Sequence, residues 1–134
     1  EMEIGETVFT HKRTITESDI VTFANVSWDH FYAHTDETAL EGTLFTQRVA
    51  HGYFILSAAA GLFVDPGKGP VLLNYGLDDF RFTKPVYPGM TLGVAVQSTY
   101  LKDIDIPGDK VQFNDLIITD NAKKIIFEYS DLKN

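Results

Sequence analysis

The sequence predicts an α+β fold in which a curled antiparallel sheet of at least five strands wraps around one central buried helix. Residues 51–63 (HGYFILSAAAGLF) are apolar on all sides, apart from the opening His-Gly and Ser57, and a helix without a polar face belongs in a core. Four strand-like segments follow this helix and are separated by turn sequences: 71–86, 90–101, 109–120 and 124–132. Together with one N-terminal strand, they supply a sheet that can surround the helix.

The N-terminal third contains shorter elements. Residues 6–16 alternate loosely and are rich in Thr and Val, so they predict the first strand. A short helix over 16–26 begins at a Thr cap followed by acidic residues. The mixed polar and aromatic residues 26–34 predict a loop, and 35–42 a second brief helix that ends at a glycine.

Composition limits the classes of function. The 134 residues fit a single domain, 1–134, and 44% of them are hydrophobic. A net charge of −8 disfavours nucleic-acid binding, although the basic residues Arg48, Lys68, Arg81 and Lys84 could gather at the mouth of one site. The chain has no cysteines, which excludes disulfides and thiolate chemistry. We expect a cytoplasmic protein without a signal peptide or a membrane span.

The segment FANVSWDHFYAHTDETA (23–39) places Asp29 and His34 five positions apart among aromatic residues. A carboxylate and an imidazole about one water apart can activate that water, as hydration of a double bond requires. Apolar neighbours would exclude bulk water from such a pair. The alternative is structural: the aspartate caps a loop and the histidine binds a backbone carbonyl.

Two further patterns allow a functional and a structural interpretation. His30 and His34 have the spacing of zinc ligands, with Asp36 or His51 to complete the set, but no Glu follows the first histidine and we predict no metal. At the start of the long helix, Gly52 could expose backbone N–H groups as an oxyanion hole. It could equally let the helix begin close to the sheet, with the preceding histidine as a cap.

Taken together, the run Ser27-Trp28-Asp29-His30-Phe31-Tyr32-Ala33-His34, the Ala-His-Gly helix start and the long strands resemble the MaoC-like, R-specific enoyl-CoA hydratase family, which has a hot-dog fold. Within this family, residues 29–36 and 48–82 resemble in particular the C-terminal hydratase domain of PaaZ, the bifunctional ring-opening enzyme of phenylacetate degradation. The resemblance covers nearly the whole chain, and the aldehyde dehydrogenase domain of such enzymes has no counterpart in it.

The resemblance implies an enoyl-CoA hydratase, a lyase or hydrolase, that acts on oxepin-CoA. Asp29 and His34 would activate water, and the Gly52 N–H would hold the thioester oxygen. The substrate-binding residues would be Trp28, Phe31, Tyr32, His51 and Tyr53. No cofactor is implied beyond the CoA of the substrate. The partners would be a second copy of the chain and an aldehyde dehydrogenase.

Two departures from the family pattern leave other functions open. Trp28 replaces a Gly beside the aspartate, where an indole is expected to strain the backbone or fill the pocket. Ala60 replaces a Ser of many family hydratases. The alternatives are an R-specific hydratase of linear 2-enoyl-CoAs and a catalytically silent domain that binds acyl thioesters.

Overall fold

A computed structural model describes residues 5–68, 77, 80–103, 110–119 and 125–129. Its helices are α1 (Glu17–Ser27), α2 (Tyr32–Thr35), a 3₁₀ helix (Glu37–Leu40) and α3 (Gly52–Phe63). The described strands are β1 (Thr7–Phe9), β2 (Arg13–Thr14), β3 (Arg81–Phe82), β4 (Thr91–Asp103), β5 (Lys110–Thr119) and β6 (Ile125–Tyr129).

The described strands form an antiparallel sheet in the order β1-β4-β5-β6-β3, and β2 also pairs with β4. This arrangement confirms the α+β class and the antiparallel sheet. Within the part of the chain that is described, no helix is long and apolar enough to span a bilayer.

The core lies between α3 and β4. Leu92, Val94 and Val96 alternate along the strand and are at least 96% buried, as expected for one face of a strand. They form one cluster with Ile55 and Ala59, which share a face of α3 four residues apart. The opposite face of α3 is exposed in the single chain, so the sheet covers the helix on one side.

The helix α1 begins as the sequence predicts. The Thr16 hydroxyl accepts a hydrogen bond from the Asp19 N–H (3.2 Å), and the Asp19 carboxylate accepts one from the Thr16 N–H (2.9 Å). This capping box satisfies two N–H groups that the helix geometry leaves unpaired. Ile20 and Ala24, four residues apart, form the buried face of α1.

Several predicted boundaries are wrong. The single strand over 6–16 is two short strands, because the chain leaves the ladder between Phe9 and Arg13. The loop over 26–34 already contains the start of α2, and the helix over 35–42 is one 3₁₀ turn. Of the strand predicted over 71–86, the described part that pairs in the sheet is Arg81–Phe82, and residues 83–86 follow it outside the ladder. Residues 71–76, 78 and 79 lie outside the described residues.

Candidate active site

The end of α1 fixes the position of Asp29. Trp28 is the C-cap of the helix and has φ 66°, a left-handed conformation. The Ser27 hydroxyl donates to the Phe23 carbonyl (2.7 Å) and accepts from the Asp29 N–H (3.2 Å). Asp29 Oδ1 accepts from the Phe31 N–H at 3.2 Å. The backbone and one oxygen of Asp29 are therefore held locally, and Oδ2 faces His34.

His34 lies on α2, although the sequence predicts a loop there. Its Nδ1 is 2.6 Å from the Val49 carbonyl. Because a carbonyl only accepts, Nδ1 carries a proton, and in the neutral ring Nε2 presents a lone pair. The Nε2 atom is 3.8 Å from Asp29 Oδ2, too far for a direct hydrogen bond. One water placed beside both atoms can bond to each of them.

His51 lies behind this pair, on the side of the core. It is 2% exposed and is the one buried polar side chain among the residues whose burial is described. Its Nε2 is 2.9 Å from the Asp29 carbonyl, and its ring stacks on the His34 ring with centroids 3.7 Å apart at 23°. Burial lowers the pKa of His51, and the hydrogen bond to the Asp29 carbonyl partly opposes this shift.

Gly52 and His34 share the wall of a cavity of about 400 Å³. Gly52 is the first residue of α3, so its N–H has no acceptor within the helix. A Cβ atom at this position would lie 2.6 Å from the Phe82 ring. The glycine therefore leaves room for Phe82 against the helix start. The remaining wall is mostly apolar, with the Lys84 side chain as a basic group.

The aromatic residues predicted to bind substrate are exposed in the single chain. Trp28 is 86% exposed and Tyr53 72%, and Phe31 and Tyr32 are about half exposed. None of the four is among the residues lining the described cavity. Of the two alternatives predicted for Trp28, its positive φ agrees with a strained backbone, and its indole does not line this cavity.

Sequence reasoning did not single out Phe82 as part of the site. Phe82 lies in β3, which pairs with β6, and its ring lies next to Gly52 at the start of α3. Lys84 is the member of the predicted basic group that lines the cavity, while Arg48 pairs with Glu17 at 2.8 Å. A hydrophobic residue two positions before a lysine carries no local signal of a binding site.

Donor atoms of Asp29, His34 and His51 lie within 4.8 Å of one another, as a metal site would require. Ring lone pairs lie in the ring plane, and these two imidazoles are nearly parallel and 3.7 Å apart. An ion about 2 Å from both nitrogens could not lie in both planes. Of the other candidate ligands, Asp36 bonds to Thr38. The geometry favours proton chemistry over chelation.

Comparison with known proteins identifies the family. The profile of the family described as MaoC like domain matches residues 1–122. The chain belongs to the MaoC-like family. It is 54% identical over 94 residues to Protein MaoC of Klebsiella aerogenes, and 38% identical over 92 residues to an (R)-specific enoyl-CoA hydratase of Rhodospirillum rubrum. These alignments cover 70% and 66% of the chain, but only 28% and 61% of the two relatives.

Solved structures of MaoC-like proteins confirm the hot-dog fold. A monoamine oxidase regulatory protein from Archaeoglobus fulgius superposes with a TM-score of 0.86 at 28% identity, over 96% of this chain and 86% of that one. The R-hydratase PhaJ1 of Pseudomonas aeruginosa has a TM-score of 0.72 at 30% identity, over 96% and 79% of the two chains. The match over nearly the whole chain includes both the sheet and the helices around the candidate site.

Proposed function

We propose that this MaoC-like domain hydrates the double bond of an enoyl-CoA thioester. The observation that carries the proposal is the distance of 3.8 Å between Asp29 Oδ2 and His34 Nε2, which leaves room for one water bound to both atoms. The His34 side chain also lines the cavity that Gly52 borders. His34 of the proposed water-activating pair and the first residue of α3 thus line one apolar cavity.

In the proposed reaction, one water bonds to Asp29 Oδ2 and His34 Nε2. His34 Nε2 takes a proton while the water oxygen attacks the β-carbon of the conjugated thioester. The electron pair of the double bond moves to the thioester oxygen, which the Gly52 N–H stabilises as an enolate. The α-carbon then takes a proton from the protonated pair, and the adduct contains one complete water.

The leading substrate is oxepin-CoA, a cyclic enol ether conjugated to a thioester. Its support is the sequence resemblance of residues 29–36 and 48–82 to ring-opening hydratase domains. Addition of water to the ring carbon that bears the ether oxygen gives a hemiacetal, which opens to an aldehyde. Because that aldehyde is reactive, an aldehyde dehydrogenase is part of the proposal as the partner that would consume it.

Linear 2-enoyl-CoAs are the second candidate substrate. They are favoured by the relatives named as an (R)-specific enoyl-CoA hydratase and a 3-hydroxybutyryl-CoA dehydratase, the latter from Methylorubrum extorquens at 33% identity over 100 residues. A small apolar cavity with Val49, Ile55 and Phe82 on its wall suits a short acyl chain or a ring. In either case Lys84 can attract the anionic CoA portion.

A homodimer is part of this proposal. The outer face of α3 exposes Tyr53 (72%) and Phe63 (44%), and Val64 beyond the helix is 59% exposed. Exposed apolar side chains grouped on one face mark a surface that a protein partner covers. A second copy on this face would also bury Tyr53, which lies close to the start of α3.

The substrate is tested by incubating the purified protein with oxepin-CoA and, in parallel, with crotonyl-CoA, and following the absorbance of the conjugated thioester. Turnover of oxepin-CoA with little turnover of crotonyl-CoA supports the ring-opening function. The reverse preference assigns the chain to hydration of linear substrates. Binding of both thioesters by calorimetry without any turnover would contradict the enzymatic proposal and support a binding domain.

A further inference from the structure

His51 contacts both members of the Asp/His pair, through different parts of its ring. The Nε2 atom lies 2.9 Å from the Asp29 carbonyl, and the ring face stacks on His34 at 3.7 Å. On α1, the Phe23 ring also packs against His51, with centroids 5.0 Å apart. One buried side chain therefore joins the aspartate loop, α2 and the start of α3.

We infer that His51 is a positioning residue: it fixes the Asp29 backbone and the His34 ring relative to each other and itself remains neutral. This inference rests on the proposed function of the pair. His51 does not line the described cavity, so it acts through Asp29 and His34 and not through substrate contact. The sequence-based assignment of His51 to substrate binding is replaced by this role.

The contacts of His51 fix its tautomer. The Asp29 carbonyl can only accept, so Nε2 carries the hydrogen and Nδ1 has a lone pair. Nδ1 is buried and has no hydrogen-bond partner among the described residues. Protonation of the ring would therefore place an unsatisfied N–H and a charge in the core.

A neutral His51 is also what catalysis at His34 requires. When His34 Nε2 takes a proton, its positive charge lies against the ring face of His51. The titratable groups that face His51 are His34 on α2, and Asp29 and His30 on the loop before it; Phe23 on α1 is uncharged. Two stacked imidazolium rings would repel each other, whereas a neutral His51 ring does not repel the positively charged His34 ring.

Two variants separate the two contacts. His51→Gln keeps an N–H donor near the Asp29 carbonyl but removes the ring face, and His51→Phe keeps a ring face but removes the donor. We expect each to lower kcat by about tenfold to a hundredfold with little change in KM, because small displacements of catalytic groups have effects of this size. The Phe variant should also shift the pH profile, since an aromatic face stabilises the His34 cation. His11→Gln, at an exposed position between β1 and β2, is the matched control.

Circular dichroism shows whether each variant folds. A kcat and pH profile equal to those of the parent in both folded variants would overturn the inference, because a purely structural residue would change stability alone. Nitrogen-15 NMR of the parent tests it independently of activity and of the variants. The expected result is a neutral His51 with its hydrogen on Nε2, and a hydrogen on Nδ1 would contradict the inference.

The same NMR measurement separates the two proposals. Suppose that the parent turns over no enoyl thioester, that His51 has the Nε2–H tautomer, and that the His34 resonances change in the His51 variants but not in His11→Gln. The proposed function then fails, while the positioning role stands. If the parent is active and the variants are fully active, the positioning role fails while the function stands.

Discussion

At the scale of single residues, Trp28 is the position where sequence and geometry conflict. Its φ of 66° lies in the left-handed region, which costs a residue with a side chain about 1–2 kcal/mol relative to the right-handed one. This conformation ends α1 one residue before Asp29, whose N–H bonds to the Ser27 hydroxyl and whose Oδ2 lies 3.8 Å from His34 Nε2.

We expect Trp28→Gly to fold with the same site geometry and to gain up to about 1 kcal/mol in the free energy of unfolding, because glycine adopts this conformation without strain. Urea denaturation measures this change. Turnover should stay within about threefold of the parent, since the indole does not line the cavity. Activity that appears only in the glycine variant would instead favour the silent binding domain.

At the scale of elements, the start of α3 connects packing to chemistry. In Gly52→Ala the new methyl group would meet the Phe82 ring at 2.6 Å, so the ring must move at the cavity wall. We expect kcat/KM to fall by about tenfold or more. Gly61→Ala, on the same helix with nothing within 4 Å of the added methyl group, is the control. It should keep full activity and gain about 1 kcal/mol of stability, and equal activity losses in both variants would contradict the account.

The N-terminus of α1 offers a test of local stability. Thr16→Ala removes the capping hydrogen bond to Asp19 and should lower the free energy of unfolding by about 1 kcal/mol. Thr22→Ala, at an exposed position within α1, should be neutral or slightly stabilising because alanine favours helices. Urea titrations of both variants give the comparison, and a Thr16 variant as stable as the parent would show that the capping box contributes little.

How much of the fold and of the candidate site the sequence predicts depends on whether the signal is local. The Thr16 cap and the apolar run of α3 are local patterns, and both elements begin as the sequence predicts. Asp29, His34 and Gly52 were recognised as a set by their resemblance to a family. The position of His51 behind the pair and that of Phe82 beside Gly52 arise from contacts between distant segments, which spacing along the chain does not encode.

At the scale of the whole molecule, the buried His51 makes stability depend on pH. Its pKa is lowered from the ordinary value of 6.5 in the folded state, so the unfolded chain binds a proton at a pH where the folded chain does not. Stability is therefore full above about pH 6.5 and falls as the pH drops toward the folded pKa. Asp36, whose pKa is lowered from 3.8 by hydrogen bonds from Thr38, adds a loss only at more acidic pH.

Urea titrations from about pH 8 to about pH 5 should show this loss of stability in the parent and in His11→Gln. The loss should be smaller in His51→Gln, which has no group titrating in the core. An identical pH dependence in all three proteins would show that His51 is not the group responsible.

The most direct test of the central claim is the kcat/KM of Asp29→Asn for the thioester that the parent hydrates best, measured beside Asp65→Asn, which makes the same change on an exposed turn after α3. Asparagine keeps the size and the local hydrogen bond from the Phe31 N–H but lacks the carboxylate that orients water with His34. The account predicts a fall of about a hundredfold or more for Asp29→Asn and no change for Asp65→Asn. Undiminished turnover by a folded Asp29→Asn protein would contradict water activation by the Asp29 and His34 pair.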